Sequence, residues 1–312
     1  MFELIKWGVK MNFYELIKRN LKIYFRDKSA VFFSLLSMIV TIILMLFFLS
    51  DFQIDAIVSM IGEFPGRNAD SDKINATVFV LQWIAGGIVG INAVTVTIAF
   101  YSAMIRDRVD GRLNSIYTAP VSRFTISAAY VTSAWICSVI ICILTLAFSE
   151  LYCIIKGADV YSFVSHIKLI GIIAVNSFTY SALMYLLAML VATQGAWGGL
   201  GTVIGTIVGF LGGIYLPIGD YSETMANIIK FLPVIYGTKL FRTVMTEDVQ
   251  AIIFKDAPAE LINEYRLEMG VDLEIFSYKI SDFDSIIILL TFGIVFLVCG
   301  AIVTKRAKKS DK

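Results

Sequence analysis

Between Ile105 and Phe124 the chain reads IRDRVDGRLNSIYTAPVSRF, with four arginines, two aspartates, one glycine and one proline. Arginine forks recognise carboxylates and phosphates, but no nucleophile, histidine or metal-ligand set accompanies these. The chemistry such a stretch suits is recognition rather than bond-making. Elsewhere the sequence offers no G-x-x-x-x-G-K-[ST], no G-x-S-x-G and no H-E-x-x-H, so the phosphate cradle, nucleophile elbow and zinc-helix signatures are all missing. The single histidine, His166, lies in a short loop and argues against a histidine-based dyad or a metal site. Cys137, Cys142, Cys153 and Cys299 fall within or at the edge of apolar segments without metal-ligand spacing and read as small buried hydrophobes. No catalytic, cofactor-binding or metal-binding residue is expected, and the chain does not read as an enzyme.

The elements around this stretch are membrane-like. Of 312 residues, 58% are hydrophobic and 16% charged, with mean hydropathy +0.79, which is an integral membrane composition. A hydrocarbon core about 30 Å thick needs roughly 20 apolar helical residues. Six segments meet or approach that length: Ser29–Ser50, Thr77–Met104, Ile126–Ile155, Leu169–Thr193, Gly195–Leu216 and Ser285–Val303. Seven Lys/Arg precede the first, four occupy the opening stretch and five fill the tail TKRAKKSDK, whereas Asp51–Ala76 has two basic against five acidic residues and Pro217–Asp284 six against twelve. The positive-inside bias places both termini and the Arg-rich loop in the cytoplasm. The basic N-terminus is expected to be retained, with Met11 as an alternative start to Met1. Within the spans Glu150 is the only ionisable acid and lies near an outer end, while the polar residues near span centres, Asn92, Thr145 and Asn176, are uncharged. Ion-coupled carriers generally bind their ion with charged groups at the midplane, so the inventory weighs against such a carrier, which stays as a rival reading. No nucleic-acid partner is expected.

Finer organisation follows from periodicity. Residues 1–28 place Phe13, Leu16, Ile17, Ile23 and Tyr24 among basic residues at helical spacing, which favours an amphipathic interfacial helix over a plain charged flank. Residues 29–303 form the transmembrane domain and 304–312 a basic tail. In the opening loop the second span is expected to run past Met104 and break at Gly111, followed by a short helix in which Leu113, Ile116 and Tyr117 make one apolar face ringed by Arg108, Arg112 and Arg123. An exposed apolar face calls for a partner. Gly201, Gly205, Gly209 and Gly213, each four apart, suit close helix packing, either inside one subunit or between two. After Leu216, residues 217–245 hold two short apolar stretches, Thr224–Leu232 and Val234–Met245, separated by Pro233; they read as a re-entrant hairpin or as helices lying flat outside. Residues 246–284 make an acidic external cap with a helix at Ala257–Met269 ending at Gly270.

Three stretches carry a family resemblance. RDRVDGRLNSIYTAPVSRF resembles the E-x-x-x-G-T-L-x-x-L-x-x-x-P-V-S-R pattern after the second span of type-2 ATP-binding-cassette (ABC) export permeases. NLKIYFRDKSAVFF resembles their amphipathic elbow, and GGIYLPIGDYSETMANIIKFLPVIYGTKLFR their external segment with paired helices. The resemblance spans about Met11 to Val303, with Arg112 standing where the family often has Thr. It implies an all-α membrane protein of six transmembrane helices with re-entrant external helices between the fifth and sixth, involving Pro217, Pro233 and Tyr236. It implies further that residues 107–120 (Asp107, Arg108, Asp110, Gly111, Arg112, Leu113, Ile116, Tyr117, Pro120, with Arg123 after them) form a coupling helix docking on a cytoplasmic ABC ATPase. The glycine row would then lie at a seam with a second permease copy or paralogue. No cofactor is implied on this chain, ATP being held by the partner. The long acidic cap points to the drug- and peptide-antibiotic-exporting branch in a bacterial cytoplasmic membrane, moving an amphipathic cargo. A non-transporting scaffold docked to the ATPase is the second rival.

Overall fold

The computed structural model describes residues 12–29, 31–32, 36, 39, 43, 50–62, 68–113, 121–255 and 257–310. The first helix, α1 (Phe13–Arg26), starts where the Asn12 side chain accepts the Glu15 N–H at 3.0 Å and ends with basic Arg26 in its last turn, favourable at both poles of the helix dipole. Leu16, Asn20 and Tyr24, spaced by four, are the face it buries, chiefly against the third-span helix. Phe13 and Tyr14 stay outside. The amphipathic reading of this segment therefore needs one amendment: its inward stripe includes polar Asn20, whose amide donates to Ser133 Oγ at 3.4 Å.

The first expected span, Ser29–Ser50, falls mostly outside the described residues. Beyond it, the acidic stretch Asp51–Ala76 contains most of a helix, α2 (Ser50–Ile61), with Ile54, Ile57 and Ile61 buried at i, i+3 and i+7. That apolar stripe packs on α3 (Ala69–Val109), the central element. Asn68 caps α3 by accepting the N–H groups of Asp70 and Ser71, and Asp70 and Asp72 sit at its positive end. With 41 residues α3 is roughly 60 Å long at 1.5 Å per residue. It begins eight positions before the expected Thr77 and, as expected, continues past Met104. From Val78 to Ala93 every residue is buried, which is why the sequence there shows no one-sided periodicity.

Around α3 stand α4 (Arg123–Ile155), α5 (Phe163–Leu190) and α6 (Gln194–Leu211), and α11 (Asp282–Ser310) packs chiefly on α5. Ser122, Ser162 and Thr193 cap α4, α5 and α6 through their hydroxyls. Among the described residues, α3, α4, α5 and α11 are long and apolar enough to cross a membrane. Helix α6, the expected fifth span, has 18 residues, about 27 Å, slightly short of the hydrocarbon thickness.

Between α6 and α11 lie a 3₁₀ turn (Ile218–Asp220), α7 (Glu223–Lys230), α8 (Pro233–Met245), α9 (Glu247–Ile253), α10 (Ala259–Glu268) and a hairpin of β1 (Leu273–Ile275) and β2 (Tyr278–Ile280). The break between α7 and α8 falls where Pro233 occupies the first turn of α8. Helix α10 ends just before Gly270 in left-handed conformation (φ +64°), close to its expected limits. The hairpin is a departure from an all-helical reading; its central residues Phe276 and Ser277 both have positive φ, the geometry of a type I′ turn.

Helix α8 is buried nearly throughout and packs against α3, α5 and α11. Glycines on α3 admit it. A Cβ at Gly90 would lie 2.8 Å from Thr238 Cγ2 and 3.2 Å from its Cα, and one at Gly86 3.1 Å from the Arg242 backbone nitrogen. The crossing is locked by polar groups: Asn176 on α5 donates to the Gly90 carbonyl at 2.8 Å, and Arg242 lies 3.9 Å over the Trp83 ring while donating to the Gly213 carbonyl at 2.7 Å. Trp83 Nε1 donates to the Met269 carbonyl at 2.7 Å, tying α3 to the end of α10.

Candidate functional site

The last turns of α3 are held from three directions. Asp107 is 5% exposed; its Oδ2 accepts from Arg19 on α1 at 2.6 Å and its Oδ1 from Arg112 at 3.2 Å. Arg112 also pairs with Asp110 at the C-cap of α3. Arg106 reaches Asp27, beyond the end of α1, at 3.6 Å. Arg108 turns the other way and donates to the carbonyls of Ala188 (3.0 Å) and Val191 (2.9 Å). These carbonyls lie at the C-terminal end of α5, where a cation satisfies orphan acceptors and the negative end of the dipole. The chain then turns at Gly111, whose φ of +72° suits a residue without Cβ, and Leu113 drops into the core at 1% exposure, its N–H donating to the Asp107 carbonyl at 3.2 Å.

This geometry divides the residues expected to dock a partner. Asp107, Arg108 and Leu113 face the bundle: the first two bind α1 and the α5 terminus, and Leu113 is a core residue rather than part of an exposed apolar face. The physical reason is that the chain reverses at Gly111, bringing position 113 back beneath Asp107 instead of onto a projecting helix. Asp110 and Arg112 remain on the outside, each with more than a third of its side chain exposed. Ile116, Tyr117 and Pro120 lie outside the described residues. Arg123 is the first residue of α4, beside the capping Ser122. The partnership of Arg19 with Asp107, 88 positions apart, was not visible in the sequence; the only signal was an arginine within the basic flank.

The glycine row is also divided. A Cβ at Gly201 would meet Ile98 of α3 at 3.0 Å, one at Gly209 would meet the Tyr215 ring at 2.3 Å, and Gly213 lies beyond the end of α6 with φ +64°, where an added Cβ would lie 3.3 Å from Arg242 Nη1. At Gly205, Gly195, Gly198 and Gly199 the added carbon would meet nothing within 4 Å. The open face of α6 is thus carried by these four, with Thr202, Val203, Thr206 and Ile207 exposed beside them. Pro217 precedes the 3₁₀ turn, Pro233 starts α8, and Tyr236 donates to the Lys230 carbonyl at 2.6 Å, closing the α7–α8 corner.

The bundle interior carries uncharged polar pairs: Asn92 donates to Thr145 at 2.6 Å, and Ser138 donates to Ser177 at 3.0 Å. Glu150 accepts the Tyr161 N–H at 3.0 Å and lies 3.0 Å from His166 Nε2, at one end of α4 and α5. Among the described residues no three His, Cys, Asp or Glu side chains group as a metal site.

One end of the long helix α3 is thus clamped to α1 and to the end of α5, and the bundle interior carries uncharged polar pairs. No curated protein matches the chain. The family model described as "ABC-2 family transporter protein" matches residues 64–302, more than three quarters of the length, and the stretch it covers runs from α3 to α11, so the chain belongs to that family of ABC transporter permeases, multi-pass membrane components without an ATPase site of their own.

Proposed function

We propose that the protein is the membrane subunit of a bacterial ABC exporter, moving an amphipathic drug, antimicrobial peptide or lipid-like molecule outward with ATP hydrolysed by a separate cytoplasmic ATPase subunit. The observation that carries the reading is the anchored inner end of α3. Residues 107–113 are fastened to α1 and α5, so the segment that follows, 114–120, leaves a rigid support on its way to α4. In this reading residues 107–120 form the coupling element. Asp110 and Arg112 are its exposed polar edge, Ile116 and Tyr117 its contact face, and Asp107, Arg108 and Leu113 its foundation. Closing of the paired ATPases would then tilt α3 and α4 together, and the cargo's different affinities for the two states would set direction.

The chain would have six spans with both termini in the cytoplasm, α6 being the fifth and α7–α8 a re-entrant pair. The open face of α6, with Gly195, Gly198, Gly199 and Gly205, would meet a second permease copy or paralogue, because small residues let helices approach where lipid supplies no hydrophobic drive.

Co-expression with a candidate ABC ATPase subunit tests the docking step. The variant Ile116→Asp, Tyr117→Asp is expected to lose ATPase pull-down and ligand-stimulated ATP turnover while the permease still reaches the membrane. Undiminished pull-down by a membrane-inserted variant overturns the proposal. Leu113→Asp is a poor probe, since it places a charge in the core.

A further inference from the structure

At the end of the bundle away from Asp107, the 3₁₀ turn and α7 face the end of α10 and the β-hairpin across a groove of about 400 Å³. That volume lies within the range of small-molecule sites, which are mostly apolar with a few convergent polar groups. The floor and walls include Tyr221, Leu267 and Phe276, and the polar groups are Glu268, Glu274, Asp272 and Lys230. Asp272 is already satisfied by Arg266 at 2.9 Å and Lys279 at 2.9 Å. Glu268 and Glu274 take part in no ion pair among the described residues, and Lys230 pairs with neither. Burial, with Asp220 and Glu264 close by, pushes the Glu268 carboxyl above its ordinary range, as expected of a carboxylate short of a cation.

Two local features concern the groove itself. The 3₁₀ turn approaches so closely that a Cβ on Gly219 would lie 2.4 Å from Glu268 Cγ and 3.0 Å from its Cα, so the wall is set by direct contact. Phe276 is 91% exposed and holds φ +48°, a region costly for a bulky residue. An aromatic ring there adds almost nothing to the core and stands at the rim of the groove instead.

We infer that this groove is a binding site for an organic cation with an aromatic or apolar body, its positive charge between Glu268 and Glu274 and its body against Tyr221 and Phe276. Ring faces attract cations, and the surplus of twelve acidic over six basic residues across Pro217–Asp284 raises the local concentration of such molecules. The site stands apart from the coupling segment and does not depend on the ATPase partnership.

The test is equilibrium binding of the fluorescent monocation rhodamine 6G to the full-length chain in lipid nanodiscs without any ATPase, with the signal of empty nanodiscs subtracted. Saturable binding is expected. The double variant Glu268→Gln, Glu274→Gln should weaken it about tenfold or more, Phe276→Ala several-fold, and Lys230→Gln should tighten it. Circular dichroism and monodispersity matching the parent show that these surface changes leave the fold intact. Absence of saturable binding by the parent, or affinity unchanged in the double variant, overturns the inference. Because no nucleotide is involved, that outcome is distinct from failure of the transport reading.

Discussion

Asp107 decides whether α1 and the turn after α3 move as one body. Its carboxylate is sheltered, with 7% of the side chain exposed, and it holds Arg19 at 2.6 Å and Arg112 at 3.2 Å. The two arginines differ. Arg112 has 61% of its side chain in solvent and keeps Asp110, so its bond to Asp107 is worth little, as exposed pairs are. Arg19 is 30% exposed and, without Asp107, keeps among the described residues the neighbouring Asn20 amide oxygen at 3.1 Å. A hydrogen bond to a charged group contributes about 1.5–3 kcal/mol; partial exposure and the Asn20 contact put this one near the lower end, about 2 kcal/mol. At about 1.4 kcal/mol per decade, Asp107→Asn should open the α1 dock roughly 30-fold more often. Hydrogen exchange in a peptide covering 13–26, followed by mass spectrometry, reads that equilibrium directly. Arg19→Gln alone should give a similar acceleration, adding Asp107→Asn to it should bring less than about 0.5 kcal/mol more, and Arg112→Gln should bring almost none. Additive effects of Arg19→Gln and Asp107→Asn, or an Arg112→Gln effect as large as that of Arg19→Gln, would refute the assignment of the tie to the Arg19–Asp107 pair.

Two further outcomes follow from the packing and the cap. Gly90→Ala should lower thermal stability by about 1–3 kcal/mol because the added carbon presses on the Thr238 backbone, whereas Gly205→Ala, with open space around it, should raise monomer stability by up to about 1 kcal/mol; thermal unfolding of detergent-solubilised protein compares them, and equal effects would contradict the crossing. At Asp272, burial pushes the carboxyl up but Arg266 and Lys279 more than offset it, leaving it below the ordinary range. A depressed folded value means stability is fully present above the unfolded value of about 4 and is lost as pH falls through the folded value. Exchange protection of residues 266–280 should therefore decline below about pH 4, and Asp272→Asn should remove that dependence.

Long apolar segments were readable because length and composition alone identify them: α3, α4, α5 and α11 overlap their expected spans, and the Pro233 break and the Gly270 stop set their helix ends as turn chemistry requires. Helix α2 is not marked by length or composition: Ile54, Ile57 and Ile61 carry the helical interval, but its 12 residues are too short for a span and lie in a stretch whose salient feature is acidic charge. The hairpin was hidden for the opposite reason: Phe276 and Ser277 stand where Asn-Gly would have announced the turn. At the candidate site the sequence located the segment but not its orientation. An apolar residue such as Leu113 at helical spacing looks the same whether it faces a partner or the core, and the partners of Asp107, Arg108 and Arg242 lie far along the chain, where no local pattern points.

Helix α3 has neither proline nor break along its 41 residues. It is tied near its C-terminal end through Asp107 to Arg19 and through Arg108 to the end of α5, and about a third of the way from its start through the Trp83 indole to the Met269 carbonyl. A rod fixed in this way has no slack to absorb a shove along its axis. In the transport reading proposed above, a displacement at the arginine-clamped end would be carried along α3 to its tie with Met269, so the hairpin groove, although it needs no ATPase in order to bind, would feel each stroke.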